Sequence, residues 1–235
     1  MLHIRQDVIL RLVIEDYIQT AEPVGSKQLA DRHGLDISPA TIRSEMLLLE
    51  QQGYLRQPHP SAGRVPTEKA YLYYLKNVIE PERAQSTKSP SDFGEQTESN
   101  SLEQTLKSIA KQLVEVSGET AIVASDAAWS YYTGVSNLFA KPDFCELALL
   151  RSVSALVDQF DEVVAQLYDR VPEQTVVYIG SQNPFGHQMA TVLVKYHLED
   201  AHEGLLGLVG PLRMNYGRNI ALIEQAKELI LELYA

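Results

Sequence analysis

The sequence predicts an α+β protein in two domains: a winged helix-turn-helix, then a mixed domain with an antiparallel sheet. Three observations carry that prediction. Short helical patterns broken by tight turns fill the first 80 residues, with a hairpin rich in Pro, Ser and Gly before the last of them. Residues 81–100 contain almost no large apolar side chain. After residue 120, apolar runs of strand length mix with helices and gather late in the chain.

Taken in order, residues 3–19 read as an amphipathic helix with Ile4, Val8, Leu12 and Ile18, joined by Ile9, Val13 and Tyr17, on its apolar face. Pro23 and Gly25 turn the chain. Ser26 is read as the cap of a short second helix, SKQLADRHG, which buries Leu29 and Ala30 and ends at Gly34. The third helix is SPATIRSEMLLLE: Ser38 supplies a capping oxygen, Pro39 suits the first turn, and Ile42, Met46 and Leu49 form one stripe. Gly53 can take the left-handed conformation that stops a helix. This spacing is that of a helix-turn-helix.

YLRQ, PHPSAG and RVP then make a short hairpin, or wing. Thr67 caps a helix with Tyr71, Tyr74, Leu75 and Val78 on one side. The first domain is therefore placed at 1–80, a flexible linker at 81–100, and the second domain at 101–235. The second domain opens with a helix carrying Leu102, Leu106, Ile109, Leu113 and Val116. That seam suits either the rest of the domain or a second copy of the chain. TAIVAS, SYYTGVS, TVVYIG, TVLVKYHL and GLLGLVG read as strands. Segments 142–151 and 154–170 read as helices, and 216–234 as a closing helix with Ile220, Ile223, Ala226, Leu229 and Leu233 inward.

The formal net charge of -11 is unevenly spread. Residues 1–80 hold 9 Lys+Arg against 10 Asp+Glu, and the remainder 11 against 21. A near-neutral first domain can still present a basic face to phosphate, whereas the acidic second domain would repel it. No apolar run is long enough to cross a membrane, and the start of the chain carries charges throughout, unlike a signal peptide. A single cysteine, Cys145, and six scattered histidines give no disulfide framework and no zinc spacing. A cytoplasmic protein with no cofactor and no metal is the expectation.

The outer side of the third helix points to a duplex. Arg43 suits the paired acceptors of guanine in the major groove, and Ser38, Thr41 and Ser44 can touch bases or phosphates. The competing reading pairs Arg43 with Glu45 or Glu50 on a solvated face. Ser26, Lys27 and Gln28 begin the second helix, whose free amides suit a phosphate. On the wing, His59, Ser61 and Arg64 are candidates, with Arg64 reaching into a narrow minor groove; a plain solvent-exposed tip is the alternative. In the second domain Arg213 and Arg218 form a possible anion or ligand site beside the last helix, against a purely structural loop. Asp143, Ser181 and His187 lack a nucleophile elbow, and His197 and His202 lack metal-ligand spacing, so no enzyme is expected.

EPVGSKQLA (22–30), SPATIRSEM (38–46), LEQQGYLRQPHPSAGRVPT (49–67) and YLYY (71–74) resemble the N-terminal signature of the HrcA family of heat-inducible transcription repressors. GVSNLFAKPDF (134–144), VYIGSQNPF (177–185) and GLVGPLRMNYGR (207–218) are similar to that family's GAF-like domain. The resemblance implies a dimeric repressor of chaperone operons that binds an inverted-repeat operator, with a GroE-type chaperonin keeping it active. It also implies an inserted dimerisation segment before GVSNL, where this chain has only SDAAWSYYT. A regulator whose GAF-like domain senses a small molecule is the second reading.

Overall fold

Two units divide the chain, Met1–Gln85 and Ser86–Ala235. The computed structural model describes residues 2–85, 101–145, 153–198 and 202–234.

In the first unit, α1 (Ile4–Thr20), α2 (Ser26–His33) and α3 (Pro39–Gln51) precede a hairpin of β1 (Leu55–Arg56) and β2 (Val65–Pro66). A winged helix-turn-helix results. Ser38 caps α3 by accepting from the Thr41 amide at 3.1 Å, and Ile42, Met46 and Leu49 are its buried stripe. Gly53 sits at φ 77° and ends that helix. Thr67 likewise caps α4 (Glu68–Tyr74).

In α1 the expected apolar face is only partly the buried one: Ile9 and Val13 lie inside, but the start of the helix does not. Ile4 is 81% exposed and Val8 is exposed as well, while Gln6, Ile9, Leu10, Val13, Ile14 and Asp16 are buried. Long-range partners explain the polar pair. Gln6 donates to Glu45 at 3.2 Å, and Asp16 receives Arg32 and His33, each at 3.0 Å. Ser26 is no cap either: Gly25 holds the cap position of α2, and no side chain accepts there.

Helix α4 runs on through a π turn, Leu75–Ile79, into α5 (Glu80–Gln85). Residues 81–85 are thus helical rather than linker. Pro81 falls in the first turn of α5, and Glu82 pairs with Arg11 at 3.0 Å, holding this last turn to α1. The rest of the expected linker lies outside the described residues.

The second unit is a five-stranded antiparallel sheet in the order β4-β3-β7-β6-β5. Its strands are β3 (Thr120–Ala124), β4 (Ser130–Thr133), β5 (Val176–Ile179), β6 (Met189–His197) and β7 (Glu203–Pro211). Strand alternation separates two apolar faces. Ile122, Ala124, Leu193, Leu205 and Val209 pack with Leu138 of α7 (Val135–Ala140) and with Phe144. The same cluster takes in Val153 of α8, described over 153–157, and Phe160 of α9 (Phe160–Tyr168).

On the other face lie α6 (Leu102–Ser117), against β3, and α10 (Tyr216–Leu233), against β6 and β7. The α6 seam therefore packs within its own domain: Leu106, Ile109 and Leu113 are buried there. In α10 the buried stripe includes Leu222 and Ile230, while Leu229 and Leu233 stay partly exposed. Of the expected helix over 142–151, only a 3-10 turn at Pro142–Phe144 falls within the described residues.

Candidate nucleic-acid interface

The buried stripe of α3 turns its opposite side to solvent. Ser38, Ala40, Arg43, Ser44, Leu47 and Leu48 are exposed there, with Thr41 at the margin. Ser38 and Thr41 hydroxyls meet at 2.9 Å, and Ser44 donates to the Ala40 carbonyl at 3.1 Å, so these short side chains are held close to the helix.

Arg43 is different. Both α3 carboxylates that might neutralise it are engaged elsewhere. Glu45 faces Gln6 and Arg5, the latter at 3.5 Å, and Glu50 takes the guanidinium of Arg64 at 3.0 and 3.1 Å. Among the described residues Arg43 has no ion pair. An exposed guanidinium without a partner on a capped helix is free to make a planar, two-pronged contact with an outside acceptor.

Arg64 reverses the wing expectation. Its side chain is only 11% exposed, its Nε and Nη2 both donate to Glu50, and its backbone forms a two-way bridge with Val24. The preceding Gly63 makes this possible. A Cβ there would come within 2.4 Å of the Val24 carbonyl, so only glycine lets the wing backbone lie against the turn between α1 and α2. Arg64 is thus a strut between wing, turn and α3, not a free arginine at the tip.

The tip itself is His59 and Ser61, both exposed, in a turn shaped by Gln57 donating to the Pro60 and Ala62 carbonyls. One cation there escaped the sequence reading: Arg56, exposed on β1 beside buried Leu55. The alternation of a two-residue strand was the only signal for it.

At the start of α2, Lys27 and Gln28 are exposed and Ser26 partly so. Lys27 and Gln28 join Gly25, Asp31 and Arg32 around an open depression of about 750 Å³. Asp31 at this rim weakens the appeal of the depression for a phosphate. The C-terminal end of α3 carries its own cation: Lys69 donates to the Gln52 carbonyl at 2.7 Å and lies 4.4 Å from the Tyr54 ring centroid.

In the second unit Arg213 does not face a vacant anion site. Its Nε donates to both oxygens of Asp143, at 3.0 and 2.8 Å. Beside this pair, Glu119 is 4% exposed and receives Lys141 at 2.7 Å. Burial pushes the Glu119 carboxyl above the usual carboxylate range, against the pull of Lys141 and Arg213. Arg218 is exposed on α10, where its amide is capped by Asn215; the two arginines do not build one site. The engagement of Asp143 with Arg213 also removes the acid of the conceivable Asp143, Ser181, His187 triad. His197 is paired with Glu173 and Glu203, and among the described residues no three His, Cys, Asp or Glu side chains are grouped to hold a metal. No helix among these residues is long and apolar enough to cross a membrane.

Comparison with known proteins agrees with this architecture. Residues 1–78 match the family model of the winged helix-turn-helix transcription repressor, HrcA DNA-binding, and residues 73–220 match that of the HrcA protein C terminal domain. Three similar proteins each bear the name heat-inducible transcription repressor HrcA. The relative in Desulforudis audaxviator is 58% identical over 78 residues, 33% of this chain and 23% of its own length. That in Bifidobacterium animalis subsp. lactis is 45% identical over 121 residues, 52% of this chain and 33% of its own length. That in Halalkalibacterium halodurans aligns with all of this chain and 99% of itself at 26% identity, over 341 positions against the 235 residues here. A crystal structure of a hypothetical protein shares the fold, with a TM-score of 0.81 at 18% identity over 100% of this chain and 99% of its own. With both of its domains matched, the chain belongs to the HrcA family of transcription repressors.

Proposed function

We infer that this protein represses transcription by binding an inverted-repeat operator as a homodimer, with heat-shock chaperone operons as its targets. The observation that carries the reading is Arg43: exposed, without an ion pair among the described residues, and set on the outer face of a helix whose carboxylates are already taken. The name shared by the relatives supports the stress-response part. In this reading the GAF-like second domain regulates or joins two copies, a GroE-type chaperonin keeps the repressor active, and the protein works in the cytoplasm without catalysis. Ser38, Thr41 and Ser44 position the duplex beside Arg43. Ser26, Lys27, Gln28, His59 and Ser61 meet the phosphates on either side.

The ligand-sensing alternative loses its anchor, because Asp143 already fills the place an anion would take on Arg213. The test is a titration of the full chain against an inverted-repeat duplex selected from a randomised pool, and against its scrambled counterpart, at several salt concentrations. Affinity should fall steeply with salt for both, with the selected duplex ahead throughout. Equal affinity for both duplexes at every salt concentration would overturn sequence-specific recognition.

A further inference from the structure

Two large apolar side chains stand open on the helix assigned to DNA. Leu47 is 46% exposed and Leu48 42%, although α3 already buries Ile42, Met46 and Leu49. Residues three and four apart share a helix face. Leu47 therefore follows Arg43 and Ser44 by one turn and Ala40 by two, and all three are exposed. Ser44 turns its hydroxyl back onto the Ala40 carbonyl, which leaves the strip from Ala40 to Leu47 with little polar chemistry to offer. The outward face is cationic at Arg43 and apolar beside and beyond it.

We propose that Leu47 reads the 5-methyl group of thymine in the major groove, next to the base edge held by Arg43. This assignment rests on the DNA-binding reading given above. Four helical residues advance about 6 Å, and base pairs stack about 3.4 Å apart, so Leu47 falls one or two base pairs from the Arg43 contact. Thymine is the base that offers an apolar group in that groove. A leucine neither donates nor accepts, so a cytosine or guanine opposite it would lose hydration without a replacement partner. Selection therefore works twice, by contact with the methyl group and by the cost of the wrong edge. Continuity with Arg43 makes the duplex the occupant of this strip, rather than a second copy of the chain.

The experiment uses the full chain and duplexes selected from a randomised pool. Each thymine of the selected half-site is replaced in turn by deoxyuridine, which removes the methyl group and nothing else. At one position per half-site the parent should lose affinity about fourfold, the equivalent of about 0.8 kcal/mol for one buried carbon. Leu47→Ala should bind the thymine and uracil duplexes alike, whereas Leu47→Met, which keeps most of the apolar volume, should retain the preference. Both changes are on an exposed position, and circular dichroism should match the parent. A selected duplex indifferent to every deoxyuridine substitution would overturn the proposal while leaving DNA recognition intact. So would Leu47→Ala keeping the parent's thymine-to-uracil ratio. Leu47→Ala that leaves DNA affinity unchanged but shifts sedimentation from dimer to monomer would overturn it in favour of a protein interface. Failure to select any duplex would take the underlying reading down with it.

Discussion

Arg43 and Arg213 are both arginines that the sequence offers as binding residues, one within α3 and one just before α10, and they meet opposite fates in the fold. Arg213 grips both oxygens of Asp143, next to the enclosed pair of Glu119 and Lys141. Arg43 stays in solvent because the fold spends the α3 carboxylates on Gln6, Arg5 and Arg64. An enclosed charge loses its hydration and persists only because a partner is built in. An exposed one keeps its hydration until a polyanion arrives and displaces counterions. A charged motif alone does not tell a strut from a reading head. The partners supplied by the rest of the chain do.

The largest expected effect lies on the enclosed side of this comparison. Asp143→Ala takes both acceptors from the Nε of Arg213, whose side chain is 12% exposed, and should cost the second domain about 3 kcal/mol. Trp129, the one tryptophan of the chain, lies in that domain and reports its unfolding in denaturant. A loss under about 0.5 kcal/mol would mean that the pair holds nothing together.

Arg64→Ala is next. It removes two hydrogen bonds to Glu50 from a largely enclosed side chain, and should lower the stability of the first domain by about 2 kcal/mol. Should stability hold while affinity for A·T-rich duplexes drops, Arg64 would belong with Arg43 as a DNA contact after all.

How far the sequence reached differs between elements for physical reasons. Helix α3 was legible because its cap, its stripe and its stop are all local: Ser38, Ile42 with Met46 and Leu49, and Gly53. Helix α1 was legible as a helix, with Ile9 and Val13 inward, but its face was only partly so: Asp16 and Gln6 are buried by partners 16 to 39 positions away, which periodicity cannot see, and Ile4 and Val8 are exposed. Arg64 was misplaced for the same reason, since Glu50 and Val24 reach it only through the fold. In the second domain the strands announced themselves as apolar runs, yet the contact between Asp143 and Arg213 spans 70 positions and left no local trace.

The smallest effect is a pH dependence. Burial raises the Glu119 carboxyl above its ordinary range. The folded state then holds this proton at a pH where the unfolded chain has lost it. Stability from this group is complete below the unfolded pKa and is lost as pH rises through the folded one. Glu119→Gln, which does not titrate, should accordingly gain on the parent as pH climbs from acid towards neutral, followed by thermal unfolding at each pH. A difference that stays flat or shrinks would mean that Lys141 and Arg213 outweigh burial.

If the outer face of α3 reads DNA through Arg43, the identity of that side chain must set the affinity for the selected duplex. Affinities of the parent, Arg43→Ala and Arg43→Lys are compared on the selected duplex and on random duplex, after circular dichroism confirms each fold. Arg43→Ala should lose about 1–3 kcal/mol on the selected duplex and little on random DNA. Arg43→Lys should lose part of the same, since an ammonium cannot make the planar double contact. Arg43→Ala binding the selected duplex as tightly as the parent would contradict the account, and α3 would not be the reading head.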